Sequence, residues 1–149
     1  MKIAIGCDSA AFQLKEVIEK YLSNLGYEYE DMGTNSPDDE THYPLIAEKV
    51  ATSIADGRFE RGILLCGTGI GMCITANKIP GVYAALCHDV YSAERARKSN
   101  NAQIITMGAR VVGPELAKTI LKAWLESEFT PGPSSPKVAL VEEIDRKYR

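Results

Sequence analysis

The sequence predicts an α/β fold, a three-layer α/β/α sandwich in which helices cover both faces of a five-stranded parallel sheet. The first observation behind this is an alternation: five short aliphatic-rich runs, each followed by a segment whose apolar residues recur at helical spacing. A helix thus separates every pair of successive strands, which is what parallel pairing requires. The second observation is length. At 149 residues, with no internal repeat, the chain makes one domain, residues 1–149, with interior enough to bury a sheet on both sides.

Each element has its own grounds. KIAIG (2–6) is a buried β-rich run closing on glycine. AFQLKEVIEKYLSNLG (11–26) sets Phe12, Leu14, Val17, Ile18, Tyr21, Leu22 and Leu25 largely on one stripe, with Gly26 as the stop. YEYEDMG (27–33) alternates as a second strand, and TNSPDDETHYP (34–44) is loop, dense in turn formers. Pro44 starts the next helix, since proline is tolerated at the first helical position. GILLC (62–66) is the third strand and IGMCITANKI (70–79) begins a helix. GVYAALC (81–87) is the fourth strand, DVYSAERARKS (89–99) a helix with Asp89 as N-cap, and AQIITMG (102–108) the fifth strand. PELAKTILKAWLESEF (114–129) is a long amphipathic helix opened by Pro114. TPGPSSP (130–136) reads as a stiff polar linker, and 137–149 as a last helix suited to packing on a partner chain. The arrangement is Rossmann-like.

Composition narrows the function. The net charge of −3, with acids and bases interleaved, argues against a nucleic-acid surface. The apolar start before Cys7 is too short for a signal-peptide core, and no apolar run is long enough to span a bilayer. Four cysteines at 7, 66, 73 and 87 show no paired spacing, so reduced thiols in a cytoplasmic protein are expected, with no metal site.

In such sheets the chemistry sits where strands end and helices begin. Three of these mouths carry reactive or polar residues: Cys7–Asp8–Ser9, Cys66–Gly67–Thr68 and Cys87–His88–Asp89. Their convergence is expected. The second is the most pointed, because Gly67, Gly69 and Gly71 permit a backbone whose N–H groups face one small space, an anion nest. A dinucleotide site fits poorly, since Met72 stands where GxGxxG needs its last glycine, and no Gly-Lys-Ser/Thr follows for a P-loop. The glycines can serve a tight turn beside a buried cysteine and nothing more. The catalytic alternative is a thiol at a helix N-terminus acting as a base, beside amides that stabilise an oxyanion. That pair suits proton abstraction α to a carbonyl, and equally acyl transfer by a cysteine nucleophile. The only histidines are His42 and His88, and neither is visibly placed to activate such a nucleophile.

ILLCGTGIGMCITANKIPGVYAALCHD resembles the core signature of ribose-5-phosphate isomerase B and galactose-6-phosphate isomerase, and the likeness runs from MKIAIGCD through NNAQIITMGARVVG to the final helix. The resemblance implies an aldose–ketose isomerase working through a cis-enediolate without metal or organic cofactor. It implies Cys66 as the residue moving the proton between C1 and C2, and Thr68 as the assisting hydroxyl. The anion hole falls on Gly67, Gly69, Ile70 and Gly71. Asp8, Ser9, Tyr43, His88, Ser99 and Asn100 fall at substrate-binding positions, and Arg110 and Lys137 at phosphate-binding ones. It also implies a site between two subunits of a homodimer, with a tetramer as the larger alternative.

Two departures bear on substrate. The family usually reads Asp-His-Ala-Gly where this chain has Asp8-Ser9-Ala10-Ala11, and His-Asn where it has Ser99-Asn100. Both histidines that the family uses to open a furanose ring are therefore serine, a poor donor beside imidazole. In the tail, Pro133 replaces one phosphate-binding arginine and Lys137 stands for the other. A four-carbon sugar phosphorylated on O4 cannot close that ring and needs no opener. D-erythrulose 4-phosphate and D-erythrose 4-phosphate are thus as well supported as the ribose 5-phosphate pair. The SAERARKSNNAQIITMGARVVG stretch also looks like that of tetrulose-phosphate isomerases. Readings from other classes are a non-catalytic subunit of a two-chain galactose-6-phosphate isomerase and a small-ligand module on a flavodoxin-like sheet.

Overall fold

The computed structural model describes residues 1–149. Five strands, β1 (Lys2–Cys7), β2 (Glu28–Asp31), β3 (Arg61–Cys66), β4 (Ala84–Leu86) and β5 (Ile104–Gly108), form one parallel sheet in the order β2-β1-β3-β5-β4. Six α-helices surround it: α1 (Phe12–Asn24), α2 (Tyr43–Ala55), α3 (Ile70–Ala76), α4 (Val90–Lys98), α5 (Pro114–Leu125) and α6 (Ser135–Lys147). Strand alternation sorts the core into two layers. Ile3, Ile5, Ile63, Leu65, Ile105 and Met107 face α1, α4 and α5, while Ala4, Leu64, Cys66 and Ile104 face α2 and α3. The sandwich expected from the sequence is the fold.

The boundaries differ from the expected ones for local reasons. α1 stops in a Schellman motif: Gly26 takes φ +83, its N–H bonds Ser23 O, and Tyr27 N–H reaches back to Leu22 O. Before α1, Ser9–Ala11 form a single 3-10 turn. β4 is shorter than the run 81–87, because the Gln103 side chain, not a strand, takes the Tyr83 N–H at 2.7 Å. α3 ends at Ala76, because Asn77 folds its amide back onto Cys73 O and splices to both main-chain groups of Ala84. The linker is shorter than 130–136, since Ser135 and Pro136 already belong to α6. Asp89 caps α4 as expected, accepting from Ser92 N at 2.7 Å. No helix is long and apolar enough to cross a membrane, and the four cysteines are unpaired.

Candidate active site

From β1 the chain moves outward to β2, and from β3 it moves outward the other way, so the crevice between β1 and β3 is the topological switch point. Asp8 leaves one side of it and Cys66 the other, and the Asp8 N–H donates to Leu65 O at 3.2 Å. Asp8 Oδ1 is buried there without a hydrogen-bond partner. The Cys66 side chain is 5% exposed, and its sulfur accepts the Gly69 N–H at 3.1 Å.

The turn after Cys66 is held rigidly. Gly69 takes φ +79, and an added Cβ would lie 2.7 Å from the main-chain carbon of Met107. Its carbonyl accepts from the buried Thr106 hydroxyl at 2.9 Å. The exit of β5 is laced to the same turn, with Ala109 N–H on Cys66 O at 2.8 Å and Arg110 N–H on Gly67 O at 3.0 Å. The Arg110 guanidinium lies over Gly67, where a Cβ would come within 3.0 Å of its nitrogen, and it makes no ion pair in the chain. The Tyr43 ring covers Gly71, where a Cβ would fall 2.3 Å from the ring carbons.

The expected hole of Gly67, Gly69, Ile70 and Gly71 needs revision. Gly69 spends its N–H on the Cys66 sulfur, and Ile70 gives its own to the Thr68 hydroxyl at 3.2 Å. The N–H groups with no acceptor in the chain are those of Gly67, Thr68, Gly71 and Met72. Unpaired main-chain donors beside a thiol and a guanidinium can receive a negative oxygen and an anionic tail.

The three mouths do not meet as expected. β5 lies between β3 and β4, so the neighbour of Cys66 on that side is Gly108–Arg110, and His88 and Asp89 stand one strand further out. His88 Nε2 is occupied as the acceptor of Gly108 N–H at 2.9 Å. Ser9 sits exposed in the 3-10 turn beside Asp8. Ser99, Asn100 and Lys137 are absent from this end of the sheet. Helix α4 carries the chain back toward the start of β5, and all three line a separate cavity of about 720 Å³ with Arg95, Tyr83 and Val138. None of the residues 66–71 lines that cavity.

Sequence reasoning missed the supports. Thr106 is the polar residue in an otherwise apolar buried strand, and that contrast was its signal. Lys15 falls on the buried side of α1 one turn from Ile18 and is 1% exposed. Its Nζ meets both Asp31 oxygens at 2.7 Å and the Thr34 carbonyl. Asp31 in turn accepts Gly33 N–H, and Gly33 O and Thr34 N pair with Cys7, so the loop after β2 is pinned to the residue before Asp8. Glu19, 3.8 Å from Lys15, is pushed up to about 7 by burial, a hydrogen bond with Asp31 and that neighbour's charge. Burial also raises the thiols of Cys7, Cys73 and Cys87, the last to about 12, as befits packing rather than reactive groups.

Residues 3–141 match the model of the Ribose/Galactose Isomerase family. The chain belongs to that family. It is 57% identical to the D-erythrulose-4-phosphate isomerase of Pectobacterium atrosepticum, over 93% of this chain and 91% of that one. It is 54% identical to the ribose-5-P isomerase B of Listeria innocua over the whole of both. Among solved structures, ribose-5-phosphate isomerase B of Clostridium thermocellum superposes with a TM-score of 0.96 at 42% identity, covering all of both chains. The chain is an aldose–ketose isomerase, the enzyme class expected from its residues.

Proposed function

We propose that this isomerase interconverts D-erythrulose 4-phosphate and D-erythrose 4-phosphate, with Cys66 as the base. The thiolate takes the proton from C1 of the ketose, leaving a cis-enediolate, and returns it to C2. The developing oxyanion lies on the N–H groups of Gly67, Thr68 and Gly71, and the Thr68 hydroxyl relays the proton between O1 and O2. Arg110 binds the phosphate, Tyr43 walls the sugar, and Asp8 binds the hydroxyl end. The observation that carries this reading is the run of unpaired N–H groups at Gly67, Thr68, Gly71 and Met72, in the turn that follows a sulfur already accepting the Gly69 N–H.

Relatives of nearly equal identity bear a four-carbon and a five-carbon name, so likeness alone does not choose the substrate. The residues favour four carbons. Ser9 and Ser99 stand where ring-opening imidazoles are usual, and of the two histidines in the chain His88 has its Nε2 engaged. General acid help is worth roughly 10²–10⁴-fold in such steps, so a ring-closed pentose should turn over poorly. Comparing kcat/KM for D-erythrulose 4-phosphate and ribose 5-phosphate tests this. A preference of at least tenfold for the tetrulose is expected, and a ribose preference of that size would overturn it.

The same reading makes the enzyme a homodimer in which Ser99, Asn100 and Lys137 of one copy complete the Cys66 mouth of the other. Support comes from their distance from that mouth within a chain and from Tyr43, Leu45, Ile70 and Ile74, apolar and exposed beside it. The unpaired thiols suit a reducing cytoplasm.

A further inference from the structure

His88 has no part in the chemistry just described, yet its contacts lead straight to it. The residues of β5 that face β4 are Ile104, Thr106 and Gly108: Ile104 N–H bonds Tyr83 O, and Thr106 O accepts Cys87 N–H at 3.1 Å. There the ladder stops, because the chain turns at Asp89 into α4. Gly108 N–H is the next donor on that edge and has no main-chain acceptor. His88 Nε2 takes it at 2.9 Å, so a side chain stands in for a missing strand residue. An imidazole that accepts at Nε2 carries its proton on Nδ1.

Gly108 is the floor beneath Thr68. A Cβ there would lie 2.6 Å from Thr68 Cα and carbonyl carbon and 2.7 Å from its oxygen, so the two backbones touch with no side chain between them. Two residues on, Arg110 reaches over Gly67. A shift of Gly108 therefore passes directly to a donor of the hole, to the relaying hydroxyl and to the phosphate ligand.

We propose that His88 is a positioning residue, latching the end of β5 so that Thr68 and Arg110 hold their places without itself touching substrate. This rests on the reading of Gly67, Thr68 and Gly71 as the anion hole. The test compares His88→Ala, which removes the acceptor, with His88→Gln, whose carboxamide oxygen reaches the same place. With D-erythrulose 4-phosphate, or whichever sugar phosphate the wild type turns over, His88→Ala should lose about 10–100-fold in kcat, the scale of a misplacement near 1 Å. KM should rise too, by less than the ~10–100-fold expected on removing Arg110 itself, and His88→Gln should recover most of both losses. Nitrogen-15 NMR of the imidazoles is simple to assign, with two histidines in the chain, and should find His88 protonated on Nδ1 alone. Wild-type kcat in His88→Ala, a Gln variant as slow as the Ala one, or a proton on Nε2 would each overturn the latch. So would a lowered melting temperature with unchanged kcat per folded molecule. The NMR readout stands if neither variant folds. It also separates the failures: turnover surviving Cys66→Ala sinks the reading of this turn as the reacting site, whereas the tautomer speaks only to the latch.

Discussion

Gly69 is where a single methyl should do most harm. Two effects add in Gly69→Ala. Its φ of +79 is left-handed, which costs an L-residue about 1–2 kcal/mol. The new Cβ would also sit 2.7 Å from the carbon and 3.0 Å from the oxygen of Met107, main-chain atoms of a central strand that cannot swing aside. Overpacking of that kind costs about 1–3 kcal/mol. The sum, roughly 2–5 kcal/mol, corresponds to a fall of about 5–15 °C in Tm for a chain of this length. Activity should fall further than stability, because the same residue gives its N–H to Cys66 and its carbonyl to Thr106. A displacement approaching 1 Å there is worth about 10²-fold in kcat. Gly71→Ala is the control. Its Cβ would strike the far end of the Tyr43 side chain, 37% exposed in the single chain, and not main-chain atoms of the sheet. Stability should then change by no more than about 1 kcal/mol, a shift of about 2–4 °C in Tm, while KM rises as the sugar loses its wall. Thermal melts and steady-state kinetics on both variants measure this. Gly69→Ala with native Tm and kcat would refute the argument that the turn is rigid and that its rigidity serves catalysis.

Other outcomes follow from the same contacts. Arg110→Ala should raise KM about 10–100-fold, since hydrogen bonds to a charged group are worth about 1.5–3 kcal/mol; an unchanged KM would place the phosphate elsewhere. Lys15→Met leaves Asp31 with the Gly33 N–H but no cation, and since that carboxylate is 29% exposed the cost should fall below the ~3–5 kcal/mol of a fully buried pair, seen as a lower midpoint in urea. Glu19 holds its proton more tightly folded than unfolded, so its contribution is full below its ordinary 4.5 and is lost as pH rises through about 7. Glu19→Gln should flatten that decline in Tm between pH 5 and 7.5. Mixing inactive Cys66→Ala with inactive Asn100→Ala should restore about a quarter of wild-type activity, half the dimers being mixed and each mixed dimer having one intact site. No recovery would mean that the two groups of residues do not combine across chains.

The layers of the fold were legible because periodicity reports burial: Ile3 and Ile5 against Ala4 on one strand already separate the two faces. The ends of elements were not, because side chains from distant segments set them, as Gln103 does for β4 and Asn77 for α3. The Cys66 turn was visible as chemistry, yet which of its amides remain free depends on where one sulfur and one hydroxyl point. The sequence order of strands also hid that β5 would lie between β3 and β4, which moves Arg110 beside Cys66 and His88 away from it. Ser99, Asn100 and Lys137 looked like partners of Cys66 on motif grounds, and the topology sends them to the other end of the sheet.

Solvent deuterium exchange in the wild type and in Cys66→Ala speaks most directly to the base. Run in D₂O with D-erythrulose 4-phosphate, or with whichever sugar phosphate is turned over, the wild type should wash deuterium into C1 of the ketose and C2 of the aldose. In the folded alanine variant both exchange and isomerisation should fall by about 10²–10⁴-fold. Exchange that persists without the sulfur would show another group moving the proton.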